Sequence, residues 1–513
     1  MKNYGPMLYA YPDSMGNHLS GTVEILNMQE FKGIFQSFYI LPSMYQNDLD
    51  RGFCVVRYDL DERVATEKDL SDLRSMNIDL MMDFVVNHAS TGSPQFQDIV
   101  KNGSRSKFKD FFINWNQFWE GHGELDQEGI LRPFSSAIEM MYFRGPGLPV
   151  LMIECDTGEK IPYWSTFYKQ FTEKTKENGE IRRIYQAQMD LNIQSPMVWE
   201  YYQDAINHFS SYGAGLIRLD AFGHVSKIPG RVNFMNEPET WDILERIKAL
   251  ADPNGLEMIQ EIHDCYAERT YFKLAEHGYR IYDFFLPALV IDAFIRNDGS
   301  IIRCWGEEII RNKYQTVNLL CSHDGIPVYD ALGLLDRKQI DEVAKLISSN
   351  GGEIRYLPAK KDIPYNIGTT LYSALGENDD NLLLARAIQL FMPGVPQIWY
   401  LDIFAGPNDY DAAKMGGATG NKEICRTNLS KDQIGQYLKK KVVVDHIKLL
   451  RFRSEFPAFA RDAEIHIESA GYEMSFVWKK QDYKASLHLN LLTRRFSIEG
   501  LAPDGAVSFR YDS

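Results

Sequence analysis

Eight short apolar runs alternate with segments of helical period along most of the chain, and this alternation restricts the fold more than any other feature. Each run is almost continuously apolar rather than alternating, which is typical of strands covered on both faces in a parallel sheet. The runs occupy 6–12, 36–43, 78–86, 215–220, 256–262, 282–287, 316–322 and 396–401. Strands alternating with helices in this way predict an α/β fold, a (β/α)8 TIM barrel.

Two intervals interrupt the alternation, and the pattern changes near the C-terminus. An inserted domain (domain B) is predicted after the third strand because that interval is far too long for a loop, and a smaller insertion after the seventh. The last segment alternates apolar and polar residues at period two, which predicts an antiparallel β domain. The expected pieces are barrel 1–88, insertion 89–192, barrel 193–325, insertion 326–366, barrel 367–456 and β domain 457–513.

Composition excludes several classes of partner. Lys and Arg number 55 against 70 Asp and Glu, a formal net charge of -15, and an acidic surface disfavours nucleic acid and anionic membranes. The N-terminal segment lacks the apolar core of a signal peptide, so a cytoplasmic protein is expected. The six cysteines lack CxxC spacing, which indicates buried thiols rather than a zinc site or disulfides. The sequence leaves open whether the protein is a monomer or a homodimer.

Three acidic residues end three of the apolar runs: Asp220 in GLIRLDAFGH, Glu261 in EMIQEIHD and Asp324 in NLLCSHDG. A barrel gathers the C-terminal ends of its strands at one mouth, where catalytic residues collect. Cleavage of a glycosidic bond with retention needs a carboxylate nucleophile and a protonated carboxyl about 5–5.5 Å apart. The three acids therefore predict such a site, although any one of them alone is more typical of a structural ion pair.

Polar neighbours of these acids extend the predicted site. Arg218 lies two residues before Asp220, on the same side of the strand, where it can hold that carboxylate ionised. His323 and His88 stand at strand ends and can donate hydrogen bonds to sugar hydroxyls. Asp83 and Asn87 are expected to tie loops together instead.

Signature segments support the same interpretation. DFVVNH, GLIRLDAFG, EIHD and SHDG, in this order and spacing, resemble the four signature regions of the α-amylase superfamily of glycoside hydrolases. AYPDSMG, DRGF, YSALGEND, MPGVPQIWY and AGPND resemble its sucrose phosphorylase branch. That branch includes phosphorylases of sucrose, sucrose 6-phosphate, glucosylglycerol and glucosylglycerate.

The resemblance implies a role for each matching residue. Asp220 matches the nucleophile, Glu261 the general acid/base and Asp324 the transition-state stabiliser. It also implies that no metal or organic cofactor is needed, since carboxylates do the proton and bond work. The matches to glucose contacts are Asp50, Phe53, His88, Gln188, Arg218, His323 and Arg426.

Departures from the branch pattern leave the acceptor open. Cys321-Ser322 stands where the branch commonly reads D-T, and Cys425 and Thr427 flank Arg426 where it reads N and H. Arg144 of FRGPGLP resembles a phosphate-contacting arginine, with the register off by one. The same position is equally compatible with a surface arginine. Lys360 and Lys361 can contact a phosphorylated acceptor, but a solvated loop is the alternative.

Three functions are compatible with this sequence. The first is a retaining glycosyltransferase, a hexosyltransferase of the sucrose phosphorylase type, which converts an α-glucoside and inorganic phosphate into α-D-glucose 1-phosphate and the free acceptor. The alternative is an intracellular α-glucosidase or transglucosylase with the same three acids. The third, a catalytically inactive barrel serving as an accessory subunit, fits a chain that retains all three acids least well.

Overall fold

Eight short strands form the central sheet, as the apolar runs predict. They lie within the part of the chain that the computed structural model describes, residues 4–141, 143, 147–175, 179, 181–357 and 360–513. The strands, numbered in chain order, are β1 Met7–Ala10, β2 Ser37–Ile40, β3 Asp79–Val85, β4 Ala214–Asp220, β5 Glu257–Gln260, β6 Ile281–Asp283, β7 Thr316–Asn318 and β8 Val395–Trp399. Some are shorter than their apolar runs because the runs continue into helices, which begin at Leu286 and Tyr400.

Strand order confirms the barrel topology. The sheet runs β5-β4-β3-β2-β1-β8-β7-β6, so hydrogen-bonded neighbours are consecutive strands of a (β/α)8 near-barrel. β1 pairs in parallel with β2 and β8, and β4 pairs in parallel with β5. All four residues of β1 and of β2 are buried, as expected for strands covered on both faces.

Amphipathic helices connect the strands. In the helix Glu239–Ala251 the buried residues include Ile243, Leu244 and Ile247, which form one apolar face. Throughout the described part of the chain, no helix combines the length and apolarity needed to cross a membrane. In that part of the chain the α-helices of eight residues or more are Leu19–Leu26, Glu67–Ser75, Pro94–Asn102, Pro196–Ser211, Glu239–Ala251, Leu286–Arg296, Ser300–Asn312, Arg337–Ser349, Asp379–Phe391 and Lys441–Glu455.

The chain groups into two compact units. The first unit comprises Met1–Ile40, Arg63–Met81 and Ile262–Ser513, and the second comprises Leu41–Glu62 and Met82–Glu261. The predicted domain boundaries remain a prediction.

The second unit contains the long segment after β3. Antiparallel pairs form between Val150–Glu154 and Lys160–Trp164, and between Lys169–Thr175 and Ile181–Asp190. A separate apolar core includes three buried tryptophans, Trp115, Trp119 and Trp164. This segment therefore has strands and a core of its own.

The first unit contains the segment after β7 and the C-terminal sheet. The helix Arg337–Ser349 precedes the antiparallel pair Glu353–Leu357 and Lys360–Gly368. Five antiparallel strands then follow within the fully described segment 457–513, as predicted, in chain order. They are β9 Glu464–Ala470, β10 Glu473–Lys480, β11 Tyr483–Asn490, β12 Arg495–Leu501 and β13 Val507–Asp512.

A buried arginine joins the C-terminal sheet to the start of β8. Arg453, on the helix Lys441–Glu455, is 1% exposed and donates to the carbonyl oxygens of Gly394 at 2.7 Å and Tyr4 at 3.3 Å. Its guanidinium carbon lies 4.5 Å from the ring centroids of Phe459 and Trp478. Burial lowers the pKa of Arg453 to about 9. The side chain is therefore held by carbonyl groups and aromatic faces.

Replacing this arginine is expected to destabilise the protein. Arg453→Met keeps the apolar stem but leaves the carbonyl groups of Gly394 and Tyr4 without their donor, at a cost of about 2–4 kcal/mol. Thermal unfolding measures the effect. Lys448→Met is the matched control, because Lys448 lies on the same helix with 57% of its side chain exposed. Equal melting temperatures for the two variants would contradict the role given to Arg453.

Candidate active site

Parallel pairing of β4 with β5 places two of the predicted acids side by side. The register runs from Leu216 opposite Glu257 to Leu219 opposite Gln260, so Asp220 and Glu261 follow at the next position. The backbone N–H of Glu261 donates to the carbonyl oxygen of Leu219 at 3.1 Å, which extends the ladder to the acid itself. The sheet register thus fixes the pair.

One guanidinium contacts three carboxyl groups. Arg218 pairs with Asp220 at 2.9 Å, with Glu261 at 2.5 Å and with Asp83 at the end of β3. Only 4% of the Arg218 side chain is exposed, and Asp83 is fully buried. Asp83 was expected to tie loops together, but it is part of this carboxylate cluster. Its position in the signature segment DFVVNH was the available signal.

Asp220 and Glu261 affect each other's ionisation. Adjacent strand positions and one shared guanidinium hold the two carboxyl groups near each other. Burial, followed by the charge of Glu261, raises the pKa of Asp220 well above its ordinary value, although Arg218 acts in the opposite direction. The sequence predicted that Arg218 holds Asp220 ionised. Its charge does lower the pKa of Asp220, but burial and the charge of Glu261 outweigh that effect. The pair retains one proton up to a higher pH than isolated carboxylates do.

The turn after Asp220 is strained. Ala221 has φ of 52°, a left-handed conformation that is uncommon for a residue other than glycine. Its backbone N–H donates to Oε2 of Glu261 at 3.1 Å. The left-handed conformation of Ala221 thus directs its N–H at the carboxyl group of Glu261 and helps to orient that side chain.

Besides Arg218, four of the predicted glucose contacts lie in the second unit. The carbonyl oxygen of Phe53 accepts hydrogen bonds from Nε2 of His88 at 2.9 Å and Nε2 of Gln188 at 2.8 Å. Burial lowers the pKa of His88, so the imidazole is neutral and its Nε2–H is directed at this carbonyl rather than left for a sugar hydroxyl. The Phe53 ring lies 5.7 Å from the Arg218 guanidinium. Asp50 begins a short turn and is half-buried, with φ of 48°.

A buried lysine and aspartate next to these residues were missed by the sequence analysis. Lys227 Nζ lies 2.9 Å from Oδ2 of Asp190 and donates to Oδ1 of Asn87 at 2.9 Å. Burial opposes ionisation of Asp190, but the charge and hydrogen bond of Lys227, together with hydrogen bonds from Thr166, outweigh it and lower the pKa of Asp190. Nothing in the pattern RLDAFGHVSK distinguishes this lysine from an exposed one.

Three further predicted residues, His323, Asp324 and Arg426, lie in the first unit. His323 and Asp324 are on the turn Ser322–Gly325 after β7. Arg426 Nη2 lies 3.0 Å from Oδ1 of Asp324, and its Nε donates to the carbonyl oxygen of His323 at 2.7 Å. Gly325 has φ of +97°, and a Cβ there would lie 2.1 Å from the carbonyl oxygen of Ile367. The glycine of SHDG is therefore required by the close approach of the neighbouring strand.

Cations keep Asp324 ionised. Burial acts to raise the pKa of this carboxyl, but Lys422, His323 and Arg426 together lower it well below its ordinary value. Lys422 Nζ lies 3.3 Å from Oδ1 of Asp324. Asp324 and Asp220 thus differ in opposite directions from an ordinary aspartate. Such divergence among carboxyl groups is typical of acid/base sites.

Aromatic rings and thiols support His323. The hydroxyl of Tyr9 hydrogen-bonds to Nδ1 of His323, and Tyr9 itself stacks on Tyr39 with ring centroids 4.7 Å apart. Cys425 Sγ lies 3.5 Å from the carbonyl oxygen of His323, and burial raises the pKa of this thiol to about 11. Cys321 is also fully buried, with its thiol on the carbonyl oxygen of Thr369. The cysteines that depart from the branch pattern therefore pack beneath the turn as unionised thiols.

Three of the residues named from the sequence bear on phosphate binding. Arg144 lies outside the described residues, as do the side chains of Lys360 and Lys361. Within the described part of the chain, no group of three or more His, Cys, Asp or Glu side chains is arranged to hold a metal ion.

Comparison with known proteins relates the chain to carbohydrate-active enzymes. Residues 32–281 match the family described as alpha amylase, catalytic domain. The chain is 42% identical to a sucrose 6(F)-phosphate phosphorylase of Ilumatobacter coccineus over 96% of this chain and 95% of that protein. It is 29% identical to a sucrose phosphorylase of Streptococcus mutans, covering 95% of this chain and 96% of the other.

A solved structure shows the same similarity in three dimensions. The crystal structure of a sucrose 6F-phosphate phosphorylase from Thermoanaerobacter thermosaccharolyticum superposes with a TM-score of 0.88, at 32% identity, over 100% of this chain and 98% of that one. With the sheet topology and the carboxylate cluster, these similarities identify the chain as an enzyme that belongs to the sucrose phosphorylase branch of the α-amylase superfamily.

Proposed function

We propose that the enzyme is a retaining hexosyltransferase, a glucoside phosphorylase that converts an α-glucoside and inorganic phosphate into α-D-glucose 1-phosphate and the free acceptor. One observation carries the proposal: Oδ1 of Asp220 and Oε1 of Glu261 lie 2.9 Å and 2.5 Å from the two terminal nitrogens of one guanidinium, that of Arg218. Two carboxyl groups this close suit a double displacement, whereas inversion needs about 6.5–9.5 Å for an intervening water. Similarity to proteins named as phosphorylases supports phosphate as the second nucleophile.

In the first half-reaction Asp220 attacks the anomeric carbon as Glu261 protonates the departing glycosidic oxygen. The pair needs one proton for this step, on Glu261, while Asp220 is ionised. Burial and the charge of Glu261 raise the pKa of Asp220, while Arg218 contacts both carboxyl groups, and this combination favours a singly protonated pair. The step breaks the glycosidic bond and forms a β-glucosyl ester on Asp220.

In the second half-reaction phosphate attacks the same carbon from the opposite face. Glu261 takes the phosphate proton, the ester bond to Asp220 breaks, and α-D-glucose 1-phosphate leaves. Asp324, ionised by its cationic neighbours, stabilises the positive charge that develops on the sugar ring in both transition states.

For the acceptor we propose fructose 6-phosphate, so that sucrose 6F-phosphate is the donor. The support is similarity: the relative at 42% identity and the solved structure at 32% are both named for that activity. An α-glucosidase or transglucosylase with the same acids differs only in the nucleophile that reaches the glucosyl ester.

Phosphate dependence tests the reaction and its donor together. Purified enzyme is incubated with sucrose or sucrose 6F-phosphate, with and without phosphate, and glucose and glucose 1-phosphate are quantified. We expect glucose 1-phosphate to form only with phosphate, and kcat/KM for the phosphorylated donor to exceed that for sucrose by at least about 10-fold, as for a charged group held by cations.

Two controls sharpen this experiment. Asp220→Asn removes the nucleophile and should lower kcat by at least about 1,000-fold with either donor. If free glucose were released at the same rate with and without phosphate, phosphorolysis would be contradicted and the α-glucosidase favoured. Equal kcat/KM for the two donors would contradict the proposed acceptor alone.

The pH dependence tests the environment of Asp220. Asp83→Asn keeps an oxygen that accepts from Arg218 but removes a charge that raises the pKa of Asp220. A nucleophile with a lower pKa stays ionised to lower pH, so the acid limb of kcat/KM should move down by about half a unit to one unit. Asp79→Asn, at the other end of the same strand, is the control and should leave the limb in place. A shift of the Asp83→Asn limb to higher pH would contradict this account.

A further inference from the structure

Lys422 contacts Asp324 from a short helical segment that follows β8. The segment Gly417–Cys425 is a 3-10 helix, and it carries the lysine to 3.3 Å from Oδ1 of Asp324. Only 14% of the Lys422 side chain is exposed, compared with 34% for Asp324. The ammonium group is thus largely covered, unlike a lysine on a solvated loop.

Lys422 and Arg426 bind the same oxygen. Arg426 Nη2 lies 3.0 Å from Oδ1 of Asp324, while Oδ2 lies 3.7 Å from Nε2 of His323. A carboxylate held on one oxygen by two cationic donors has little freedom to rotate. Oδ2 therefore keeps a defined direction.

Arg355 ties the lysine segment to the turn that bears Asp324. Its Nη1 donates to the carbonyl oxygen of Asp324 at 3.2 Å, and its Nη2 to that of Asn421 at 3.3 Å. Since Asn421 directly precedes Lys422, one guanidinium fixes the backbone on both sides of the ion pair. The contact is built from two anchored segments.

Charge favours the same arrangement. The charged and titratable groups of the first unit that face Asp324 are Lys422, Arg426, Arg355 and His323, and Glu423 pairs with Arg426 at 3.4 Å. Burial acts to raise the pKa of Asp324, and the cation that opposes it most is Lys422. Arg426 is also occupied by Glu423 and the backbone, so Lys422 adds a charge that Arg426 does not replace.

We propose that Lys422 is a positioning residue of the glucosyl site: together with Arg426 it holds Oδ1 of Asp324, so that Oδ2 faces the bound sugar ring as positive charge develops there. The inference rests on the proposed role of Asp324. It gives the segment Gly417–Cys425 a function in transition-state stabilisation.

The test uses α-D-glucosyl fluoride, whose leaving group needs neither acceptor nor phosphate. Lys422→Met should lower kcat for fluoride release by about 10–100-fold with KM changed by less than about 3-fold, because the interaction acts mainly in the transition state. Lys422→Arg should recover most of the rate. Lys414→Met is the matched control, an exposed lysine on the preceding helix whose pairing is with Asp411, and should behave as wild type.

A double-mutant cycle shows whether Lys422 acts through Asp324. In an Asp324→Asn background the Lys422→Met penalty should shrink to less than about 2-fold, since the charge that the lysine holds is gone. An undiminished penalty there, or no recovery with Lys422→Arg, would overturn the proposal. Melting temperatures of the variants should match that of wild type; a loss of rate that only follows a lowered melting temperature would also overturn it.

The same assay separates this proposal from the proposed function. Wild-type enzyme that releases fluoride into water but transfers no glucose to phosphate would contradict phosphorolysis, and Lys422 would then be judged on the fluoride rates alone. Wild-type enzyme that releases no fluoride would overturn both proposals.

Discussion

The candidate chemistry depends on the ion pairs that the guanidinium of Arg218 makes with three carboxyl groups. The guanidinium is almost fully buried and contacts Asp83, Asp220 and Glu261 together. One cation cannot neutralise three carboxylates, so the cluster lowers its free energy by retaining a proton. In the proposed double displacement, Asp220 of this cluster serves as nucleophile and Glu261 as general acid, and the retained proton is the one that Glu261 transfers. Arg218 is thus buried in the barrel, lies in the strand whose register aligns Asp220 with Glu261, and supplies the positive charge for the cluster.

Asp324 has the opposite electrostatic environment. Lys422, Arg426 and His323 surround it with positive charge, and its pKa is lowered although burial alone would raise it. A group that stabilises a developing cation has to be ionised at every stage of the reaction. A nucleophile and its neighbouring general acid need one proton between them, carried by the general acid when the nucleophile attacks. The two environments are therefore complementary to two different tasks.

Much of this could be predicted because it depends on local pattern. Nearly continuous apolar runs identify the eight strands, and an acid at the end of a run identifies Asp220, Glu261 and Asp324. Period-two alternation identifies the C-terminal sheet. These features are properties of neighbouring residues, which a sequence displays directly.

The rest depends on contacts between distant segments. Asp83 and Arg218 are 135 residues apart, and Lys422 lies about a hundred residues beyond its partner Asp324. Whether His88 donates to a sugar or to the Phe53 carbonyl depends on where that carbonyl lies. Cys425 places its thiol against the carbonyl oxygen of His323, which lies 102 residues earlier in the chain. No residue pattern reports such placements.

The central claim, that Asp220 becomes covalently glucosylated, can be tested by trapping. A 5-fluoro-α-D-glucosyl fluoride forms the ester slowly and releases it more slowly, because the ring fluorine destabilises the oxocarbenium-like transition state. After digestion, mass spectrometry of the peptides locates the label. The account predicts one glucosyl adduct per chain, on Asp220. An adduct on another residue, or steady turnover of glucosyl fluoride with no adduct at any carboxylate, would contradict it.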